Sequence, residues 1–157
     1  MAHEIYLRLD AVIGECQEQF HKNWIVIQSF TNSITGAGSG VESSGACKHG
    51  SVSISKEIDR SSPKLALAAC NGYPFKMATI HVCQATTTGL HSSIVLQCIL
   101  KDVVCSSYSL SGQNNSTDSI DLDYGSIEWQ YTYVDPYTLT GYGKTIAKWD
   151  TTKNYGG

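Results

Sequence analysis

Apolar residues recur at every second position along much of this chain, and that period constrains the fold more than any other feature. Ile5, Leu7 and Leu9 alternate with Tyr6, Arg8 and Asp10. Val52, Ile54 and Ile58 alternate with Ser51, Ser53, Ser55 and Glu57, and Ile80 and Val82 alternate with Thr79, His81 and Cys83. Period two is the signature of a strand with one core face and one polar face. Trp24 to Phe30 and Ile94 to Cys105 are apolar at both parities. They are expected to be central strands, or strands whose far side a partner covers.

One break in parity carries information. Ile120, Leu122 and Tyr124 occupy even positions, whereas Ile127, Trp129, Tyr131 and Tyr133 occupy odd ones, with Gly125 at the switch. A bulge or bend there would return both sets to one face, as at a barrel corner. A plain turn between two short strands is the competing reading. A single helix is expected over residues 63–70. Ser62 is read as its N-cap and Pro63 as its first residue, with Leu65 to Ala69 as helix formers and Gly72 as the stop. Two stretches read as loops, Thr31 to Gly50 and Ser111 to Thr117. The first is long for a structureless connection inside a compact domain, which marks it as functional or disordered.

The length of 157 residues fits one domain, expected over 1–150 with a tail at 151–157. Charged residues make up 16%, below the 25% or so usual for soluble domains, which suits a surface partly covered by partners or a Ser/Thr-rich β protein. The net charge of −3 and the lack of a Lys/Arg stripe speak against nucleic acid. No run of 18 apolar residues is present, so no membrane insertion is expected. The start, with Glu4, Arg8 and Asp10 in an alternating pattern, is unlike a secretory signal. The cysteines at 16, 47, 70, 83, 98 and 105 are therefore expected to be free and mostly buried thiols.

Candidate chemistry is sparse. Gly141-Tyr-Gly-Lys144-Thr145 falls short of a phosphate loop, because Thr138 stands where the first glycine belongs. The glycines around Ser39 lack the spacing of a nucleophile elbow. His81 and Cys83 share a strand face but make only two metal ligands, and a strand face near an interface is the simpler account. Asp118, Asp121 and Asp123 lack the glycine and glutamate of a calcium loop. No catalytic set, metal or cofactor is expected.

The order of motifs resembles the haemolysin-coregulated proteins, the tube subunits of bacterial type VI secretion systems. Ile5-Tyr-Leu-Arg-Leu-Asp10 followed by Gly14-Glu15 is similar to the family's first strand and turn. Asp59-Arg-Ser-Ser-Pro63-Lys-Leu65 resembles the entry to its sole helix. Ile94 to Ser109, Ile120-Asp-Leu-Asp-Tyr124, Ile127-Glu-Trp-Gln-Tyr131 and the stretch to Trp149-Asp150 follow in the family's order. The resemblance implies a mainly β fold, a small barrel of two packed antiparallel sheets with one short helix, and no enzyme activity. It implies homohexameric rings that stack into a tube, contractile sheath and spike proteins as partners, and effector cargo in the lumen. It implies residence in the bacterial cytoplasm before firing and secretion without a cleaved signal peptide. It also makes the long loop a ring-to-ring contact, with Thr35, Gly36, Gly38, Gly40, Glu42 and Lys48 as candidate contact residues. Phage tail tube proteins are similar in fold and role. A monomeric barrel binding a small ligand and an enzyme with a hidden site are the readings from other classes.

Overall fold

The computed structural model describes residues 3–36, 47–85, 92–134 and 141–157. Within them lie twelve strands and one helix. The strands are β1 (His3–Leu9), β2 (Ile25–Ile27), β3 (Ser29–Thr31), β4 (Ile34–Thr35), β5 (Lys48–His49), β6 (Val52–Glu57), β7 (Phe75–Ala85), β8 (Ser92–Ser111), β9 (Thr117–Asp123), β10 (Ser126–Val134), β11 (Gly141–Asp150) and β12 (Tyr155–Gly156). The helix, α1, spans Ser62–Asn71 between β6 and β7.

A first sheet runs β12-β11-β10-β8-β7-β1-β2, and a second runs β3-β6-β9-β8, with every pairing antiparallel. Two crossings join them. β2 and β3 are separated by Gln28 alone, whose N–H donates to the Ser55 carbonyl at 2.8 Å. β8 pairs with β7 and β10 through its first half and with β9 through its second. The path β8-β7-β1-β2, then β3-β6-β9-β8, closes a barrel, and β10 to β12 extend the first sheet beyond it.

The double role of β8 explains why Ile94 to Cys105 is apolar at both parities. The strand bends at Asp102, whose φ of 55° is left-handed and uncommon outside glycine. Gly125 sits against this bend, where its N–H donates to the Lys101 and Asp102 carbonyls at 2.9 and 3.2 Å. A Cβ on Gly125 would lie 3.2 Å from the Asp102 Cβ. The parity switch at Gly125 is thus a barrel corner, where β9 of the second sheet hands over to β10 of the first.

The alternating residues fill the interior. Leu7, Leu9, Ile54, Ile80, Leu100, Ile120, Leu122 and Ile127 are all fully buried there. Two alternating positions depart from expectation. Ile58 is exposed because β6 ends at Glu57, and the inward position that precedes it belongs to Lys56, which is 1% exposed. Val82 is only half-buried, and a register shift in the β7–β8 pairing falls between it and Cys83.

The helix start needs a correction. The N-cap is Ser61, not Ser62, and Ser61 makes no side-chain capping bond. The first helical hydrogen bond runs from the Leu65 N–H to the Ser61 carbonyl at 3.0 Å, so Ser62 is already helical and Pro63 follows it. Ser62 cannot cap because its hydroxyl is committed elsewhere, to the Asp59 N–H behind it and the Asp118 carboxylate across the barrel. Gly72 ends the helix at φ 63°, as its position predicts.

The stretch from Thr31 to Gly50 is not structureless at its ends. Ile34 pairs with His49 and Thr35 with Lys48, making a two-stranded ribbon apart from both sheets. The tail also has structure: after a turn at residues 151–154, β12 pairs with Trp149 and Asp150 of β11.

Candidate functional site

The ribbon is an arm whose root is anchored by a polar cluster. The Tyr124 hydroxyl is shared by Asn32 Nδ2 at 3.1 Å and His49 Nδ1 at 2.7 Å. Asn32 Oδ1 accepts from the Trp129 indole at 3.1 Å. The His49 ring lies near-parallel to Trp129 and Trp149, each 6.4 Å away. Burial lowers the His49 pKa, because a charged imidazole there would lose its water. Asn32 and His49 come from the two ends of the arm, so this cluster sets how the arm leaves the barrel. At its base Thr35, Gly36 and Lys48 are exposed. Gly38, Gly40 and Glu42 lie outside the described residues.

A second polar cluster fixes the helix. Lys56 Nζ lies 2.9 Å from Asp118 Oδ1, 3.0 Å from Asp59 Oδ1 and 3.0 Å from the Ser62 hydroxyl. Asp118 also accepts from Ser62 at 2.6 Å and from the Tyr108 hydroxyl at 2.7 Å. Burial and the Asp118 charge push the Tyr108 phenol up to about 12. The network ties β6, β8 and β9 to the first turn of α1. The Asp59-Arg-Ser-Ser-Pro63 sequence therefore serves a buried ion pair as much as a helix start.

A third cluster occupies the outer face of β1 and β7. His81 and Cys83, expected on a strand face near an interface, are covered by the chain's own segment 11–24, with Tyr6, Cys16, His21 and Trp24 around them. Glu18 accepts from His21 Nδ1, and His21 Nε2 lies 2.8 Å from His81 Nδ1. His81 Nε2 is left buried without a partner. Burial, reinforced by His21, pushes the His81 pKa down to about 4. Cys83 Sγ is 4.0 Å from His21 Nε2 but has no exposure, which denies a substrate access to it. No three His, Cys, Asp or Glu side chains among the described residues are arranged to hold a metal ion. All six thiols are free. Cys16, Cys83, Cys98 and Cys105 are buried, and desolvation raises the pKa of Cys16, Cys105 and Cys98, the last to about 11. Such thiols are poor nucleophiles.

The last feature is a surface. From Gly143 to Lys148 every residue of β11 is exposed, whichever face it points to. Ile146 is 49% exposed on one face, and Tyr131 and Tyr133 on β10 are exposed on the other. β12 pairs with Trp149 and Asp150, and Gly157 exchanges two backbone hydrogen bonds with Lys148 at 3.0 and 3.1 Å, so the outer edge of β11 before Lys148 has no strand partner among the described residues.

Sequence reasoning singled out the arm and the helix entry but missed what holds them. Asn32, His49 and Tyr124 are 92 and 75 residues apart and carry no local signal. Lys56 was open to discovery, since it continues the inward parity of Val52 and Ile54.

Comparison with known proteins agrees with this architecture. Residues 6–131 match the family described as "Type VI secretion system effector, Hcp". Among solved structures, one described as a type six secretion system protein superposes with a TM-score of 0.87 at 24% identity, covering 99% of this chain and 100% of its own. Hcp1 from Salmonella typhimurium gives 0.80 at 23% identity, covering 99% of each chain. A type VI secretion system effector from Yersinia pestis gives 0.73 at 16% identity, covering 93% of this chain and 98% of its own. No curated protein matches the chain. No helix among the described residues is long and apolar enough to cross a membrane. With the family matched over most of its length and the fold over nearly all of it, the chain belongs to the Hcp family of type VI secretion proteins.

Proposed function

We propose that this chain is a structural tube subunit that closes into homohexameric rings, which stack and carry or shield effectors in their lumen. The observation that carries the reading is β11. A strand exposed on both faces and along one edge is a template for another chain, and natural sheets block such edges unless something covers them. A ring needs one patch to meet a different patch on the next copy, and a heterologous contact of this kind closes when the rotation allows. The barrel interior is filled by side chains, which favours a structural role over a small-ligand carrier. Lys56, Asp118, His81 and Cys83 are buried away from any substrate, which favours the same role over catalysis.

The arm at 31–50 then serves ring-to-ring contact, with Thr35, Gly36, Gly38, Gly40, Glu42 and Lys48 as its contact residues. Sheath and spike proteins are the partners that drive the tube. The subunit waits in the bacterial cytoplasm and leaves through the type VI system. Deleting residues 36–45 tests the arm. The core residues named among the described residues all lie elsewhere, so the variant should fold and form rings but fail to make tubes or be exported. Normal tubes and normal export would overturn the role given to the arm, and loss of rings would place it in the ring interface instead.

A further inference from the structure

We infer that the ring is sealed by the β10–β11 flap of one copy seating in the groove beside β1 and β2 of the next. This deepens the ring reading above and rests on it. The two patches stand at opposite ends of one sheet. Followed along the curved sheet, five strand spacings lie between β11 and β2, a path of roughly 24 Å at about 4.8 Å each. That is the arrangement a head-to-tail contact needs, because each copy offers both halves at once on opposite flanks.

The two patches also complement each other in chemistry. The flap offers Lys144, Ile146 and Lys148 along β11, with no acidic residue on that strand before Asp150. Lys148 is paired with Glu128 at 3.3 Å, whereas Lys144 has no ionic partner among the described residues. The groove has a volume of about 520 Å³ and is lined by Glu4, Glu18, His3, Tyr6 and Val26 among others, with no Lys or Arg among the described residues that line it. Glu4 accepts from the Tyr6 hydroxyl and Glu18 from His21, so each carboxylate is held in place by a neutral donor or an imidazole rather than by a fixed cation. Val26 is 49% exposed on β2, matching Ile146. A basic strand carrying one apolar anchor thus meets an acidic groove with an apolar floor. Charge pairing of this kind sets orientation, and the apolar anchor supplies affinity.

The test uses two variants that each block one patch. Ile146→Glu blocks the flap and Val26→Arg blocks the groove. Both positions are half exposed in a single copy, so circular dichroism should show an unchanged fold. If either variant unfolds, Lys144→Glu and Glu4→Lys replace them. Each variant alone should need a concentration roughly 30-fold or more above wild type to assemble, as loss of an interface anchor implies. Mixed together, the two variants should give heterodimers and nothing larger, since one good flap and one good groove remain. Rings formed by either variant at the wild-type concentration would overturn the inference, and so would a mixture that stays monomeric. A wild-type protein that is itself monomeric would instead defeat the ring reading on which this contact depends.

Discussion

Replacing Lys56 with methionine isolates the buried ion pair at the helix entry. Methionine keeps the length and apolar stem of lysine but removes the ammonium that faces Asp118, Asp59 and Ser62. Lys56 is 1% exposed and the Asp118 side chain is fully buried, so water cannot take the place of the lost charge. Breaking a buried pair by removing one partner costs about 3–5 kcal/mol, chiefly the penalty of the stranded charge. For a domain of this size each kcal/mol moves the unfolding midpoint by about 2–4 °C, so Lys56→Met should lower it by roughly 6–20 °C. Removing both charges should be far milder, because replacing a whole buried pair with apolar groups is often neutral. The double variant Lys56→Met, Asp118→Leu should therefore recover more than half of the loss. Thermal unfolding followed by far-UV circular dichroism, at one fixed protein concentration, measures all three chains. A Lys56→Met midpoint within 1 °C of wild type, or a double variant no better than the single one, would refute the reasoning.

Three further outcomes follow from the other clusters. His81 has a folded pKa near 4, depressed from 6.5, so the unfolded chain binds its proton first. Its contribution is complete above pH 6.5 and is lost as pH falls toward 4, a loss of about 3 kcal/mol by linkage, and His81→Gln should flatten the unfolding free energy over that window. Thiol titration should count six thiols per chain in denaturant without reductant, and in the native protein Cys70 should react first because it alone is exposed. Tyr124→Phe removes the hydroxyl shared by Asn32 and His49 and should cost about 1 kcal/mol, while freeing the arm root enough to raise proteolysis in the 31–50 stretch.

The fold was legible because its rule is local. Alternation placed Leu7, Ile54, Ile80 and Ile120 inside, and the parity switch at Gly125 marked a corner, since each follows from a residue and its immediate neighbours. What was not legible depends on distant pairs. Ser62 looks like a cap in sequence, but Asp118, 56 residues away, takes its hydroxyl, so the boundary moves back to Ser61. His81 and Cys83 look like an outer face, and only the return of residues 11–24 over β1 and β7 buries them. Ile94 to Cys105 reads as one doubly apolar strand, and the bend at Asp102 that divides it between two sheets has no signature in a residue type that tolerates positive φ only occasionally. The exposed surface of β11 was legible least of all. β11 reads as an ordinary last strand, and its exposure on both faces emerges only when the barrel closes without it.

The most direct test of the account is the native mass of the purified protein at micromolar concentration. Six chains of 17.1 kDa give a closed ring of about 103 kDa, and that species should dominate. A single peak at 17.1 kDa across the same concentration range would contradict the tube-subunit reading.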